Sequence, residues 1–551
     1  MKVGLITHCK ALSFAHYTFI ASVMATADMD VSLIEVELTN TSGYNGTASF
    51  FRKNKSLIDR FNLQLLKGQA IIERTILKKG MGYKDWYKVW APKDIVGLKV
   101  IKALGTVTTS GITLALDDVG RVSLRQGKFD VLISLDGPMS IAELPELAHL
   151  GLLSTNCDHS VQYPVSLSSF WSVYTKKSTT GFHVSFKSSL TQQESVVFKG
   201  NRTTKDLCWK YNYHYLQKEC YHYLYQLMVK LNADFQLKAL SRISNAELDT
   251  KIPKWYQILS YQWQVLRTLS KKTKNHLTNT GDYWTVYYSK GSYDKLDFSK
   301  VKKIENPKGG FFADPFILHY DNRNIVFVEE FVINEKKAVI SALEIDKDDN
   351  YKYLGEVIRE PFHLSYPFIF EYENALYMIP ESSASKSIRL YKCKTFPLEW
   401  EYQYDLISNI DAVDTTIMFR DHKYWLFTNL KEQDWEHNSI LECYVADSPI
   451  SQQWKPHENN PVYFDNGARN GGFLYNGNME HMVSQTYDID TYGKSIQIKR
   501  IKILSENQFD AEVVKEFEPK LMKGFQGMHH MSSDDSFTVF DALQKRPIKK
   551  G

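Results

Sequence analysis

From about residue 281 onward, apolar and polar positions alternate in runs of strand length, and the runs recur as a unit. Each unit opens on an apolar strand that carries a polar residue, then passes through a second strand into a wet turn. The units read ADPFILHYDNRNIVFVEEF from Ala313, YPFIFEYENALYMIPESS from Tyr366 and DTTIMFRDHKYWLFTNL from Asp414. Two looser ones follow, RNGGFLYNGNMEHMVSQTY from Arg469 and MHHMSSDDSFTVFDAL from Met528. A spacing of roughly 50 residues with about four short strands per unit predicts a five-bladed β-propeller over 281–551. The strand Asp282–Ser289 precedes the first unit, the last unit is short, and the early strand is expected to complete it and close the ring. Asp314, Asp414, Arg469 and His529 fall on or beside the innermost strands. An Asp at a strand start is also a common turn former, but four polar residues at equivalent places point to one polar funnel.

Residues 1–232 alternate differently and predict an α/β domain. Val3–Thr7, Val31–Val36 and Val131–Leu135 read as buried strands, Ser13–Ala27 has helical spacing, and a helix is expected near Ile141–His149. Such alternation implies a mostly parallel sheet with ligands at the strand C-terminal ends. Thr203–Asn232 reads as a long Tyr-rich helix closing the domain. Residues 233–280 form a connector without strand character. Within it Trp255, Ile258, Leu259, Gln262, Trp263, Leu266 and Leu269 fall on one helical face flanked by Lys254, Lys271, Lys272 and Lys274. A basic, Trp-bearing amphipathic helix over 254–274 suits peripheral contact with a membrane, and equally suits packing against a neighbouring domain.

The chain's 551 residues exceed one ordinary core, so several domains are expected. With 67 basic against 63 acidic residues there is no basic excess of the kind a nucleic-acid binder shows. The six cysteines are scattered without a CxxC pair, which suggests neither a zinc site nor a disulfide framework. MKVGLITH runs directly into a strand, and no stretch reaches the roughly 20 apolar residues a spanning helix needs. The expected location is cytoplasmic, or peripheral at the inner face of the membrane.

Phe129–Ser160 (FDVLISLDGPMSIAELPELAHLGLLSTNCDHS) followed by Phe170–Phe186 resembles the formyltransferase family. The resemblance implies a Rossmann-like fold, 10-formyltetrahydrofolate as cofactor if the site is active, and an Asn, a His and an acid that polarise and deprotonate. Asn156 matches the family's Asn. Asp158 stands where the His belongs, His159 comes one residue late, and the downstream acid region reads SLTQQESVVF with Glu194. A one-residue shift turns a strand side chain to the opposite face, so a degenerate site is expected, with Asn156, His159 and Glu194 as the surviving alternative. His183 is expected to be structural.

The propeller units resemble glycoside hydrolase family 43 and, more closely, the propeller domain of glucosamine inositolphosphorylceramide transferases. The resemblance rests on ADPF (Ala313–Phe316), YMIPES (Tyr377–Ser382), FPLEW (Phe396–Trp400), DTTI (Asp414–Ile417), Tyr492–Leu504 and the late His pair. It implies Asp314 as general base, Glu381 as general acid and Asp414 as a supporting carboxylate. Arg469 stands where the hydrolases carry an acid. With His529 and His530 it suits an anionic substrate group, or else it pairs with Asp314 or Asp414 and only stiffens the funnel; Glu330 is a further candidate contact. No Gly-rich phosphate loop and no DxD of the metal-dependent nucleotide-sugar type appears, so no metal is indicated.

Three readings stay open. The leading one is a carbohydrate-active transferase of surface polysaccharide or glycolipid assembly, acting on a sugar, nucleotide-sugar or glycolipid in the funnel. The others are a sugar N-formyltransferase whose propeller binds glycan, and a non-catalytic glycan-binding scaffold.

Overall fold

The computed structural model describes residues 1–8, 11–38, 56–80, 88–107, 113–116, 118–136, 140–141, 144–156, 167–232, 241–242, 252–278, 280–430, 438–475, 481–489 and 491–547. The chain divides into two compact units, Met1–Ser270 and Lys271–Gly551.

The first unit is α/β, built on one ten-stranded sheet. In spatial order its strands are Ser241–Arg242, Glu194–Thr203, Thr179–Ser188, Ala148–Asn156, Phe129–Ser134, Lys2–Thr7, Asp30–Leu38, Lys99–Val107, Thr113–Leu116 and Ser140–Ile141. The continuous apolar run KVGLIT is buried from Val3 on, as a strand covered on both faces must be. The central strands are parallel, from Ala148–Asn156 across to Lys99–Val107. Beyond Ala148–Asn156 the sheet turns antiparallel. The sheet is therefore mixed, and the antiparallel wing is a departure from the mostly parallel expectation. The expected helix near 141–149 shrinks to Leu144–Leu147, because Ala148 already pairs with Phe129 in the next strand.

Helices cover the sheet where apolar faces demand it. Phe14–Met24 is started by a Ser13–His16 capping box and buries Phe19, Ile20 and Val23. Trp209–Asn232 is tied down by an ion pair between Arg202 and Glu219, both almost wholly buried. Leu57–Gly80, a 24-residue helix, had no counterpart in the sequence reading. The connector holds the two-residue strand Ser241–Arg242 and the helix Trp255–Leu277. Ile258, Tyr261 and Val265 of that helix sit in a core with Leu66, Leu77, Phe170 and Trp209. The Tyr261 hydroxyl donates to Glu73 Oε1 at 2.6 Å and accepts from the Trp209 amide at 2.7 Å. The single apolar face expected of this helix is in fact two, because Trp255, Leu259, Trp263 and Leu266 stay exposed.

The second unit is a five-bladed β-propeller. Four blades are four-stranded sheets that open on the innermost strands Gly310–Tyr320, Ser365–Tyr372, Ala412–Arg420 and Arg469–Asn470. The fifth combines chain from both ends of the unit: Thr280–Lys290 pairs antiparallel with Phe537–Pro547 along its whole length. The closing strand expected at 282–289 is thus present, and it removes an open sheet edge. Apolar residues interlock at every junction, including the last. Val286, Tyr288 and Val539 of blade five pack on Ile317, Val326, Val328 and Leu343 of blade one.

Candidate functional site

The same backbone device recurs in three blades. The ladder between the first two strands slips at Ala313/Phe316, Ser365/Phe368 and Val413/Thr416. Within those bulges Asp314, Tyr366 and Asp414 take φ of 47°, 46° and 50°. Left-handed backbone is uncommon for such side chains, and a bulge re-aims what it carries. Three equivalent bulges therefore turn two carboxylates and a phenol toward the propeller axis.

Asp314 is buried and heavily held. Its Oδ1 lies 3.1 Å from His529 Nε2, and its Oδ2 accepts the Tyr366 amide at 3.3 Å. On the other side of the imidazole, His529 Nδ1 is 2.8 Å from Asp541 Oδ1. Asp541 is fully buried and organises the seam: it also accepts the amides of His529, His530 and Asp314 at 3.1, 3.0 and 3.2 Å. Burial alone would lower the His529 pKa, but the flanking carboxylates outweigh it and push it up to about 10. Burial likewise opposes ionisation of Asp314, yet the imidazolium holds its carboxyl well below the usual range. Trp284 covers the imidazole with ring centroids 3.9 Å apart. Gly493 leaves room for it, since a Cβ there would stand 2.4 Å from His529 Cβ.

Donor atoms of Asp314, His529 and Asp541 all lie within 4.8 Å of one another, close enough to surround a cation. Both imidazole nitrogens face carboxylates at hydrogen-bond distance, an arrangement that suits an imidazolium.

The opposite pole is Asp414 with Arg469. Arg469 Nε donates to Asp414 Oδ2 at 2.6 Å and Nη1 to Asn438 Oδ1 at 3.1 Å. Burial raises the Asp414 pKa to about 6, against the opposing pull of Arg469. Between the poles, Glu381 is half-buried and accepts from Ser365 Oγ at 2.6 Å. Burial, with the nearby Asp314 charge, raises its pKa. Glu329 is buried against Asp314 and raised well above the ordinary range by burial and that carboxylate. The floor therefore holds carboxyl groups of opposite protonation side by side.

Of the residues singled out in the sequence, Asp314, Glu381, Asp414, Arg469 and His529 converge here. Others do not serve as expected. Glu330 faces away from its neighbour Glu329, as strand alternation requires, and is bonded inside its blade by Ser341 Oγ at 2.6 Å and Tyr353 OH at 2.9 Å. His530 is fully buried between Phe316 and Tyr366 with Nδ1 3.4 Å from Asp314 Oδ1, so it faces Asp314 from within the core rather than a substrate. His529 is engaged at both nitrogens and is not a free anion donor. Arg469 spends Nε and Nη1 on Asp414 and Asn438, which leaves Nη2 alone without a hydrogen bond among the described residues. Tyr366, Glu329 and Asp541 were missed. The DPF/YPF pairing at Asp314 and Tyr366 was the available signal for the first, whereas nothing local marks Asp541.

In the first unit, Asn156 ends its strand opposite His183, while Asp158 and His159 lie outside the described residues. Burial lowers the His183 pKa. The alternative set of Asn156, His159 and Glu194 fails on register. Glu194 pairs with Lys187, which pairs with Leu152, four residues before Asn156. That is about 13 Å along the sheet. The described residues thus do not assemble the Asn, His and acid that 10-formyltetrahydrofolate chemistry needs. What the unit does place at the C-terminal ends of adjacent parallel strands is His8, with Nδ1 2.8 Å from Asp136 Oδ2. Burial works against protonation of His8, and the Asp136 carboxylate raises its pKa nonetheless.

Fold and site together define a five-bladed propeller with an acid-rich, cation-braced funnel. Residues 296–534 match the family model described as "Glucosamine inositolphosphorylceramide transferase 1, N-terminal". The chain is similar to glucosamine inositolphosphorylceramide transferase 1 of Arabidopsis thaliana, 34% identical over 206 residues, covering 36% of this chain and 26% of that protein. The Oryza sativa subsp. japonica protein of the same name is 32% identical over 206 residues, covering 36% and 27%. The chain thus spans about a quarter of the length of the curated relatives it matches. Among solved structures it is similar to a thermostable family-43 glycoside hydrolase (13% identity, TM-score 0.29, 37% of this chain and 75% of that one). A family 117 glycoside hydrolase of Zobellia galactanivorans gives 11% identity, TM-score 0.32, 47% and 90%.

Proposed function

We propose that the funnel binds the sugar of a glycolipid-type substrate and transfers a glycosyl group, with Asp314 and Glu381 as its catalytic carboxyls. The observation that carries this reading is the contrast in surroundings of the two carboxyls. Asp314 lies 3.1 Å from His529 Nε2, which favours its ionised form, while Glu381 has only the Ser365 hydroxyl at 2.6 Å among the described residues and its pKa is raised by burial. The printed name of the matching family supports a glycolipid and a transfer, as the activity of those longer proteins.

Glu381, the more accessible of the two, gives its proton to the leaving oxygen as the donor's glycosidic bond breaks. Asp314 faces the positive charge that develops at the anomeric carbon. The acceptor hydroxyl then bonds to that carbon and returns its proton to Glu381, so the carboxyl ends as it began. A pKa held so low makes Asp314 a poor general base, which moves it from the role expected of it to that of fixed negative charge or nucleophile. Asp414 holds the Arg469 guanidinium at the floor, where Nη2 can meet an anionic group of the donor.

The test is thermal-shift screening of the full chain with nucleotide-sugars, acidic oligosaccharides and glycolipid headgroups, then mass-spectrometric detection of product. Binding that weakens in Arg469→Ala, with turnover lost in Asp314→Asn and Glu381→Gln, supports transfer. Binding without product in the wild-type chain favours the scaffold reading.

A further inference from the structure

The helices Leu57–Gly80 and Trp255–Leu277 share an unusual feature: each is apolar on two faces. One face of each enters the same core, through Leu66 and Leu77 on the first and Ile258, Tyr261 and Val265 on the second. The buried hydrogen bond from Tyr261 to Glu73 locks the helices to each other, so neither can roll to hide its second face.

Those second faces are exposed. On the later helix Trp255, Tyr256, Leu259, Trp263 and Leu266 are 50, 49, 51, 60 and 55% accessible. At 3.6 residues per turn they fill an arc of about 100°, centred about 130° from the buried stripe. On the earlier helix Leu57, Ile58, Phe61, Ile71 and Ile72 are 80, 68, 56, 65 and 52% accessible. Large exposed apolar groups scattered singly need no explanation, but two such stripes on helices tied together do.

Charge decides what covers them. Trp255–Leu277 contains no Asp or Glu and carries Arg267, Lys271, Lys272 and Lys274, with Lys254 one residue before it. The Arg267 guanidinium lies 5.7 Å from the Trp263 ring centroid, which puts a cation at the rim of the aromatic stripe. Trp and Tyr bordered by basic residues is the composition of a helix lying at a lipid headgroup boundary, apolar side inward and bases against phosphate. An apolar protein partner would have no use for the one-sided charge. Among the described residues, no helix is long and apolar enough to cross a bilayer. We propose that these two helices seat the protein on the surface of an anionic lipid bilayer, with Trp255, Leu259, Trp263 and Leu266 inserted at the headgroup boundary and Arg267 and Lys274, which flank that stripe, on the phosphates. This inference is independent of the funnel's chemistry.

The full chain is sedimented with vesicles of phosphatidylcholine alone and of phosphatidylcholine with phosphatidylglycerol, while Trp emission is followed. Binding to the mixed vesicles with a blue shift, weak binding to phosphatidylcholine and release by salt are expected. Leu259→Ser with Trp263→Ser, at exposed positions, lowers the vesicle partition at least about tenfold at unchanged melting temperature. Arg267→Glu with Lys274→Glu abolishes the preference for the anionic vesicles. No sedimentation with either vesicle overturns the proposal. So does light scattering that shows a dimer which Leu259→Ser with Trp263→Ser dissolves, because the stripe would then belong to a second copy.

Discussion

His529 Nε2 lies 3.1 Å from Asp314 Oδ1, across the seam where the last blade meets the first. The residue that sets the charge of the funnel floor is therefore delivered by the far end of the chain. It arrives only if Thr280–Lys290 and Phe537–Pro547 have zipped the ring shut. Asp541, on that closing strand, fixes the imidazole from behind. Closure of the fold and electrostatics of the site are one event.

The pair makes stability depend on pH at both ends. His529 is raised from 6.5 to about 10, so its contribution is complete below the ordinary histidine value and is lost as pH rises through about 10. Asp314 is depressed, so its contribution is present above the ordinary value of 3.8 and is lost as pH falls below it. Asp314→Asn leaves His529 against one carboxylate, and its high-pH limb is expected to move to lower pH. Removing one partner of a buried pair costs ~3–5 kcal/mol. Melting curves across pH check the direction, and an unmoved alkaline limb contradicts it.

Arg469→Ala isolates the opposite pole. Asp414 already sits near pKa 6 because burial outweighs its cation, and without Arg469 its pKa climbs further. The variant loses most stability where Asp414 would have to be ionised. Its deficit against the wild-type chain is thus larger at about pH 8 than at about pH 5. A deficit independent of pH would mean that Arg469 acts through packing on Tyr492, 5.1 Å from its guanidinium, rather than through charge.

The propeller was legible because its repeats carry strand periodicity and their polar residues recur in phase. Asp314, Asp414 and Arg469 were found that way, and so was the closing strand at 282–289. Side-chain direction was not legible. A bulge shifts alternation by one, so sequence alone gave no means to tell Glu329 from Glu330, and Glu329 is the one beside Asp314. The connector helix misled for a related reason. Two apolar stripes on one helix sum to what looks like one broad face, and only the packing of Ile258, Tyr261 and Val265 separates them. Asp541 lies in FTVFDALQ, an ordinary strand pattern, and its role depends on a neighbour 227 residues away.

Tyr366 tests the third bulge. Its hydroxyl accepts the Gly472 amide at 3.0 Å and faces the Gly472 carbonyl at 3.3 Å, which joins blade two to the strand Gly472–Leu474, itself paired with Met531–Ser533 of blade five. Tyr366→Phe strands both backbone groups and is expected to cost ~1–3 kcal/mol in denaturant unfolding. Gly472→Ala is expected to be worse. Its φ is 127°, and a Cβ would meet the Met531 carbonyl oxygen at 1.8 Å, which the backbone cannot relieve without parting the inner strands. Equal losses in the two variants would show that the glycine's conformation is not under strain limits at this junction.

Glu381 and Glu330 separate catalytic from structural carboxyls. Both are accessible enough to invite a substrate role, and both accept a hydrogen bond from a serine hydroxyl at 2.6 Å. Only Glu381 shares the floor with Asp314 and has its pKa raised there. If Glu381 gives the proton to the leaving group, Glu381→Gln lowers turnover ~10²–10⁴-fold and removes the alkaline limb of the rate profile, because that limb is its own deprotonation. Donors whose leaving group needs no proton should recover the bond-breaking part of the loss, while uptake of the acceptor's proton stays impaired. Glu330→Gln should keep both the rate and the profile, with a small drop in melting temperature from its Ser341 and Tyr353 contacts. Retention of the alkaline limb in Glu381→Gln would move the proton to Glu329, the other raised carboxyl of the floor.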